Sequence, residues 1–312
     1  MSSLVKIFSG TSSHYLASQI ASQYGQPLGE LVINRFADGE ISPRFEESVR
    51  GCEVFLIQST NPPSDNLMEL LLMADAARRA SAKYVTAVLP YFGYARQDRK
   101  DKPRVAIASK LVANLLSAAG IDRLMTCDLH AGQIQGFFDF PVDHLDGSAI
   151  FIPYIESLNL DNLIFAAPDV GGVGRARAYA TYFKSDMVVC DKHRKRANEI
   201  ASMQVIGEVE GANVVIIDDM LDTGGTMCRA AEAILDKGAK SVRAICTHPV
   251  FSGAAYDNIA NSVLEEVAVS DTIPLKKAAP KVRVLSVADL FATAIRRIHE
   301  HESISSLFIQ SS

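Results

Sequence analysis

The chain has no tryptophan, only five cysteines, and no apolar stretch approaching the roughly 20 residues that a membrane-spanning helix needs. Cys52, Cys127, Cys190, Cys228 and Cys246 are scattered, odd in number and without a C-x-x-C pair. That pattern argues against a disulfide framework or a zinc site and makes a reducing cytoplasm the expected compartment. The opening residues, Met1 to Gly10, lack a signal-peptide core and read as a first strand running into a glycine turn. Neither sign of charge dominates: 31 Lys and Arg stand against 36 Asp and Glu, a net charge of −5, with the signs interspersed. Nucleic acid and membrane are therefore not expected partners. The pattern G-x-x-x-x-G-K-[ST] is missing, as is G-x-G-x-x-G, which disfavours a P-loop or dinucleotide-binding fold. The absence of tryptophan by itself decides nothing.

What is present is a repeated grammar. Apolar β-like runs recur at Val54–Gln58, Tyr84–Pro90, Leu124–Cys127, Leu163–Ala167, Met187–Cys190, Val214–Ile217 and Val242–Cys246. Between them lie helical patterns. Leu67–Ala80 has apolar residues at 67, 70, 71 and 74 and cationic Arg78 and Arg79 in its last turn, and Ala106–Ala119 carries a stripe of Leu111, Leu115 and Leu116 before Gly120. Alternation of this kind predicts an α/β fold of parallel sheets flanked by helices. At 312 residues there is room for two domains, and the pattern restarts after a break at 146–153. The expected division is 1–147 and 148–287. The stretch Ser286–Ser305 reads as a helix with Leu290, Ile295 and Ile298 inward, and the sequence leaves open whether 288–312 returns to the first domain.

The segment Val214 to Thr226 carries the most chemistry. A Val/Ile run, a buried strand, stops at Asp218 and Asp219; Asp222 then opens the turn Thr223-Gly224-Gly225-Thr226, and Met227–Lys237 reads as a helix ended by Gly238. Glycines let backbone approach an anion, and the first N–H groups of a helix are unpaired donors, so the turn suits a phosphate. The acids repel phosphate and suit sugar hydroxyls, or a divalent cation travelling with it. An ordinary polar turn is the plain alternative. The arrangement resembles the ribose-phosphate motif shared by phosphoribosyltransferases and phosphoribosyl pyrophosphate (PRPP) synthetases.

Other segments are chemical only in context. Leu124–His130 is a strand ending in Asp128 and His130, which alternation points to one face; His130 is either a metal ligand or a hydrogen-bonded loop histidine. Leu163–Asp169 runs into Val170-Gly171-Gly172, with Arg175 and Arg177 opening a helix, a turn suited to a polyphosphate with its Mg²⁺ or else a plain turn. Asp191–Arg196 is the densest charge run, a solvated loop or a cationic lid over a polyphosphate. Phe36 beside Asp38 and Glu40 is suited to stacking on a base, and Arg96 to contacting phosphate, although alone each is an exposed loop.

Together these segments resemble class I PRPP synthetase (ribose-phosphate diphosphokinase), from Phe36–Glu40 through Arg96–Arg99, Asp128–His130, Gln135–Phe138, Asp169 and Asp218–Thr226 to Phe251–Gly253 and Glu302–Phe308. The resemblance implies two tandem phosphoribosyltransferase-type domains and an ATP site at a subunit interface. It assigns Phe36, Asp38, Glu40, Arg96, Gln97 and, more weakly, Asp143 to ATP. His130 and Asp169 would bind Mg²⁺, and Asp169, Val170, Gly171 and Gly172 the diphosphate. Asp218, Asp219 and Asp222 would face ribose 5-phosphate, with Thr223, Gly224, Gly225 and Thr226 on its phosphate. Lys192 and Arg194 match a catalytic Lys-x-Arg. Ser48, Arg50, Ser81, Ser303, Ser305 and Phe308 match a regulatory anion site, implying phosphate and ADP as effectors, and the family's habit is a homohexamer.

The implied reaction moves the β,γ-diphosphoryl group of ATP to the 1-hydroxyl of ribose 5-phosphate, feeding nucleotide, histidine and tryptophan synthesis. One rival is a PRPP-consuming phosphoribosyltransferase, which leaves the Phe36 and Arg96 segments idle. The other is a non-catalytic regulatory partner, which should have lost the Lys-x-Arg that this chain keeps.

Overall fold

The structure is a computed structural model that describes residues 4–192 and 203–307, Lys192 and Ser306 by their backbone alone. The chain divides into two compact units. The first takes the residues up to Asp146 together with Thr272–Pro274 and Val287–Ser305; the second takes Gly147–Asp271 and Leu275–Ser286.

In the first unit the elements run β1 (Val5–Ser9), α1 (His14–Tyr24), β2 (Leu31–Arg35), β3 (Ile41–Phe45), β4 (Glu53–Ile57), α2 (Asp65–Arg79), β5 (Tyr84–Leu89), α3 (Ala108–Ala118), β6 (Arg123–Cys127) and β7 (Val142–Leu145). Five strands form one parallel sheet in the order β1-β4-β5-β6-β7, and β2 and β3 form a separate antiparallel ribbon. One face of the sheet buries Phe8, Leu56 and Leu89 with Leu70 and Met73 of α2 and Leu116 of α3. On α3 the inward residues are Ser109, Val112, Ala113 and Leu116, whereas Leu111 and Leu115 are 56% and 38% exposed. Of the expected stripe Leu116 is inward and Leu111 and Leu115 are not: 109, 112, 113 and 116 keep the i, i+3, i+4, i+7 spacing, and 111 and 115 lie round the cylinder from it.

The second unit continues with α4 (Ser148–Ser157), β8 (Leu163–Ala167), α5 (Val173–Phe183), β9 (Met187–Lys192), β10 (Met203–Ile206), β11 (Asn213–Leu221), α6 (Gly225–Asp236), β12 (Ser241–Pro249), α7 (Ala255–Asn261), β13 (Val267–Ser270) and β14 (Val282–Leu285). Its seven strands lie in the order β10-β9-β8-β11-β12-β13-β14, parallel except that β10 runs against β9. β11 shows why its run is apolar throughout. Val214 and Ile216 pack on the side of α6 and α7, and Val215 and Ile217 on the side of α4 and α5. A strand buried on both faces cannot alternate with polar residues.

The strand order also fixes where a ligand belongs. From β8 the chain moves outward through β9 and β10, returns across β8 to β11, and then moves the other way through β12 to β14. Loops leaving the ends of β8 and β11 therefore diverge to opposite faces and open a crevice, the usual binding place of open α/β sheets.

The last helix, α8 (Ala288–His299), belongs to the first unit and lies against α1. Arg296 Nη2 donates to the carbonyls of Gln23 and Tyr24 at 3.2 and 3.0 Å, capping the end of α1, and its guanidinium lies 5.0 Å from the centre of the Tyr24 ring. His299 Nδ1 lies 2.9 Å from Glu53 Oε2 on β4.

Candidate active site

Both turns that the strand order brings together carry the predicted residues. At the end of β11 Asp218 and Asp219 both lie beside Arg175 of α5. Asp219 is 4% exposed, and its backbone N–H donates to Asp218 Oδ1 at 2.9 Å. Burial, then the adjacent Asp219, pushes the Asp218 carboxyl up to about 8, against a downward pull from Arg175. Asp222 accepts a short hydrogen bond from the Ser252 hydroxyl, and its carbonyl accepts from Ser252 N–H at 3.0 Å. Gly224 has φ +77°, a left-handed conformation in which a side chain is strained. It precedes α6, whose start no side chain caps, so the N–H groups of Gly225 and Thr226 lie where an anion would be held. Thr223 is exposed, and its carbonyl is tied down by Asn258 Nδ2 at 2.8 Å.

At the end of β8, Asp169 and Val170 are exposed. Here the structure adds a feature absent from the sequence reading. Asp169 Oδ1 itself accepts from Gly171 N–H at 2.9 Å and from Gly172 N–H at 3.3 Å. The amides of Gly171 and Gly172 are thus held by their own neighbour's carboxylate, as at a helix N-cap. Arg175, a turn further on, points to the β11 acids, with Nη1 3.3 Å from Asp219 Oδ1 and 3.9 Å from Asp218 Oδ1.

In the first unit the ATP candidates lie on loops. Phe36, Asp38 and Glu40 are exposed at the tip joining β2 to β3, in a turn closed by Phe36 N–H to the Glu40 carbonyl and by Glu40 N–H to Asp38 Oδ1 at 3.1 Å. Arg96 and Gln97 are exposed after β5. The loop that carries them is pinned by Gly93, whose N–H donates to Thr60 Oγ1 at 2.7 Å and at which any Cβ would meet the Thr60 carbonyl at 2.1 Å. Asp143 is different. It is 8% exposed on β7 and takes both of its oxygens, at 2.9 and 2.8 Å, to Nη1 of Arg123 on β6. Its carboxylate pairs with Arg123 within the sheet.

His130 is exposed just past β6. Its loop is fixed by His144, whose Nε2 accepts from Leu129 N–H at 2.8 Å. His130 lies in the first unit and Asp169 in the second. Among the described residues no group of three or more His, Cys, Asp and Glu side chains is placed to hold a metal ion. Among the regulatory candidates, Arg50 Nη1 donates to Ser81 Oγ at 3.3 Å and Arg50 N–H to Ser48 Oγ at 3.4 Å, while the Ser303 and Ser305 hydroxyls lie 3.0 Å apart. The Lys192 side chain, Arg194 and Phe308 lie outside the described residues.

Comparison with known proteins gives the family. Residues 5–120 match the model for the N-terminal domain of ribose phosphate pyrophosphokinase, and residues 180–309 that for the phosphoribosyl synthetase-associated domain. The chain is 55% identical over 305 residues to the ribose-phosphate pyrophosphokinase of Campylobacter jejuni, covering 97% of this chain and 99% of that protein. It is 56% identical over 303 residues to that of Porphyromonas gingivalis, covering 97% of each. The chain belongs to the ribose-phosphate pyrophosphokinase family. The fold agrees as well: a crystal structure of phosphoribosylpyrophosphate synthetase from Mycobacterium smegmatis matches with a TM-score of 0.90 at 39% identity, covering 96% of this chain and 99% of that one.

Sequence alone missed Ser252, Asn258 and Arg175, which hold the turn after β11 and its acids through contacts between distant segments. The only sequence signals for them were the Phe251–Gly253 match and the two arginines after the Asp169 turn. Of those two, Arg175 reaches the acids and Arg177 is exposed. No helix among the described residues is long and apolar enough to cross a membrane.

Proposed function

We propose that the protein is a ribose-phosphate diphosphokinase that moves the β,γ-diphosphoryl group of ATP to the 1-hydroxyl of ribose 5-phosphate, giving PRPP and AMP. The observation that carries this reading is the acid pair and open glycine turn at the end of β11, beside the reversal of strand order, in a chain similar over 97% of its length to ribose-phosphate pyrophosphokinases. In the reaction the sugar's O1 bonds to the β-phosphorus, the bond from that phosphorus to the bridging oxygen of AMP breaks, and the hydroxyl proton leaves with solvent.

Asp218, Asp219 and Asp222 accept from the sugar hydroxyls, and Thr223 to Thr226 hold the 5-phosphate at the start of α6. Gly171 and Gly172 offer amides to the diphosphate once Asp169 releases them. Lys192 and Arg194 supply cationic charge to its oxygens. Phe36, Asp38 and Glu40 bind adenine, and Arg96 and Gln97 the ATP phosphates and ribose. His130 and Asp169 would hold Mg²⁺, which when bound neutralises charge on the phosphate oxygens. Ser48, Arg50, Ser81, Ser303, Ser305 and Phe308 form an anion site for phosphate and ADP, and the protein works as a cytoplasmic homohexamer.

The test is a product assay with ATP, ribose 5-phosphate and Mg²⁺ in phosphate buffer, following AMP and PRPP separately. Equal release of both is expected. ADP in place of AMP would mean transfer of a single phosphoryl group and overturn the assignment.

A further inference from the structure

Arg175 begins in one loop and works in another. It stands in the first turn of α5, just after the Asp169 turn, yet Nη1 lies 3.3 Å from Asp219 Oδ1 and 3.9 Å from Asp218 Oδ1 at the end of β11. One cation thus serves two carboxylates that follow one another in the chain. Their relative placement is fixed again by Asp219 N–H donating to Asp218 Oδ1 at 2.9 Å. The groups facing Asp218 are Asp219 on its own strand, Arg175 from α5 and the fully buried Cys246 from β12, whose thiol burial keeps neutral.

An ionised carboxylate offers only acceptors, whereas a protonated one turns an oxygen into a donor. Two neighbouring hydroxyls of a sugar, each donating, need two acceptors side by side. Two carboxylates this close and this little exposed do not ionise together without a countercharge. We propose that Arg175 is a positioning residue for the sugar, holding Asp218 and Asp219 together and favouring loss of the proton that Asp218 keeps near neutral pH, so that the two serve as paired acceptors for a vicinal diol.

This inference rests on the reading of the β11 acids as the ribose site, and its test separates the two. Binding of ribose 5-phosphate to the full-length protein is measured by calorimetry, alongside KM and kcat, from pH 7 to pH 9, for wild type, Arg175→Gln, Arg175→Lys and Asp219→Asn. Removing Arg175 favours the protonated acid, so affinity falls on the acidic side and returns as rising pH removes the proton. Arg175→Gln should bind about ten-fold more weakly at pH 7, through KM more than kcat, with the gap closing toward pH 9. Arg175→Lys, which keeps the charge, should follow the wild-type pH profile and serves if Arg175→Gln does not fold. A Gln variant weakened equally at every pH, or a Lys variant no better than Gln, would mean a purely structural pair and overturn the inference. If Asp219→Asn weakens binding and Arg175→Gln does not, the role of Arg175 alone is wrong. Undiminished binding by Asp219→Asn would remove the ribose reading itself.

Discussion

Asp143 and Asp219 are both strand carboxylates, 8% and 4% exposed, and both face an arginine. What separates them is how much of the charge is already answered. Both oxygens of Asp143 meet Arg123 within hydrogen-bond distance, so the pair closes on itself inside the sheet. Asp219 shares one guanidinium nitrogen with Asp218. Asp143→Asn should therefore cost about 2–3 kcal/mol by leaving Arg123 without its partner, with KM for ATP unchanged. Thermal denaturation with ATP kinetics checks this; a raised KM at unchanged Tm would return Asp143 to the nucleotide site. At this scale the acids and glycines were legible as candidates, because their motif is contiguous. The partners of those acids come from segments 20 to 44 residues away and left no local trace.

Burial on both faces made most strands legible, though β13, buried throughout, spans only four residues and gave no run that was read. β4, β5, β6, β8, β9, β11 and β12 stood out as apolar runs, being covered on both faces or nearly so. The β2–β3 ribbon and β14, largely exposed or half-buried, gave no such run. α4 was hidden by Pro153, which sits inside the helix where a break would be read. Glycine placement was read correctly at the β11 turn, and there it has an energetic consequence. Gly224→Ala forces a side chain into φ +77° and should destabilise the second unit by about 1 kcal/mol, with KM for ribose 5-phosphate raised because the turn shifts. Urea denaturation and kinetics together test it; an Ala variant matching wild type in both would show that the turn relaxes without cost.

Across the whole molecule, the first unit depends on the far end of the chain. Leu290, Phe291 and Ile295 of α8 are at most 5% exposed. Burying three such side chains contributes about 6 kcal/mol, against a total stability on the order of 5–15 kcal/mol for a domain. A chain ending at Ser286 should accordingly lose the cooperative unfolding of its first unit, seen as a missing transition in calorimetry, while the second unit still melts. Two intact transitions would show that α8 is dispensable. No periodicity could have announced this dependence, since an amphipathic helix states that it needs a surface and not which one.

Synthesis on the ribosome gives that return a timetable. The stretch 147–286 has to emerge between the first sheet and the helix that completes its unit. At about 5–20 residues per second that interval lasts about ten seconds or more. Through it the nascent first unit keeps the apolar side of α1 uncovered, so the segment translated second is the one that finishes folding first, and the time of greatest need for a chaperone falls late in translation, with most of the protein already made.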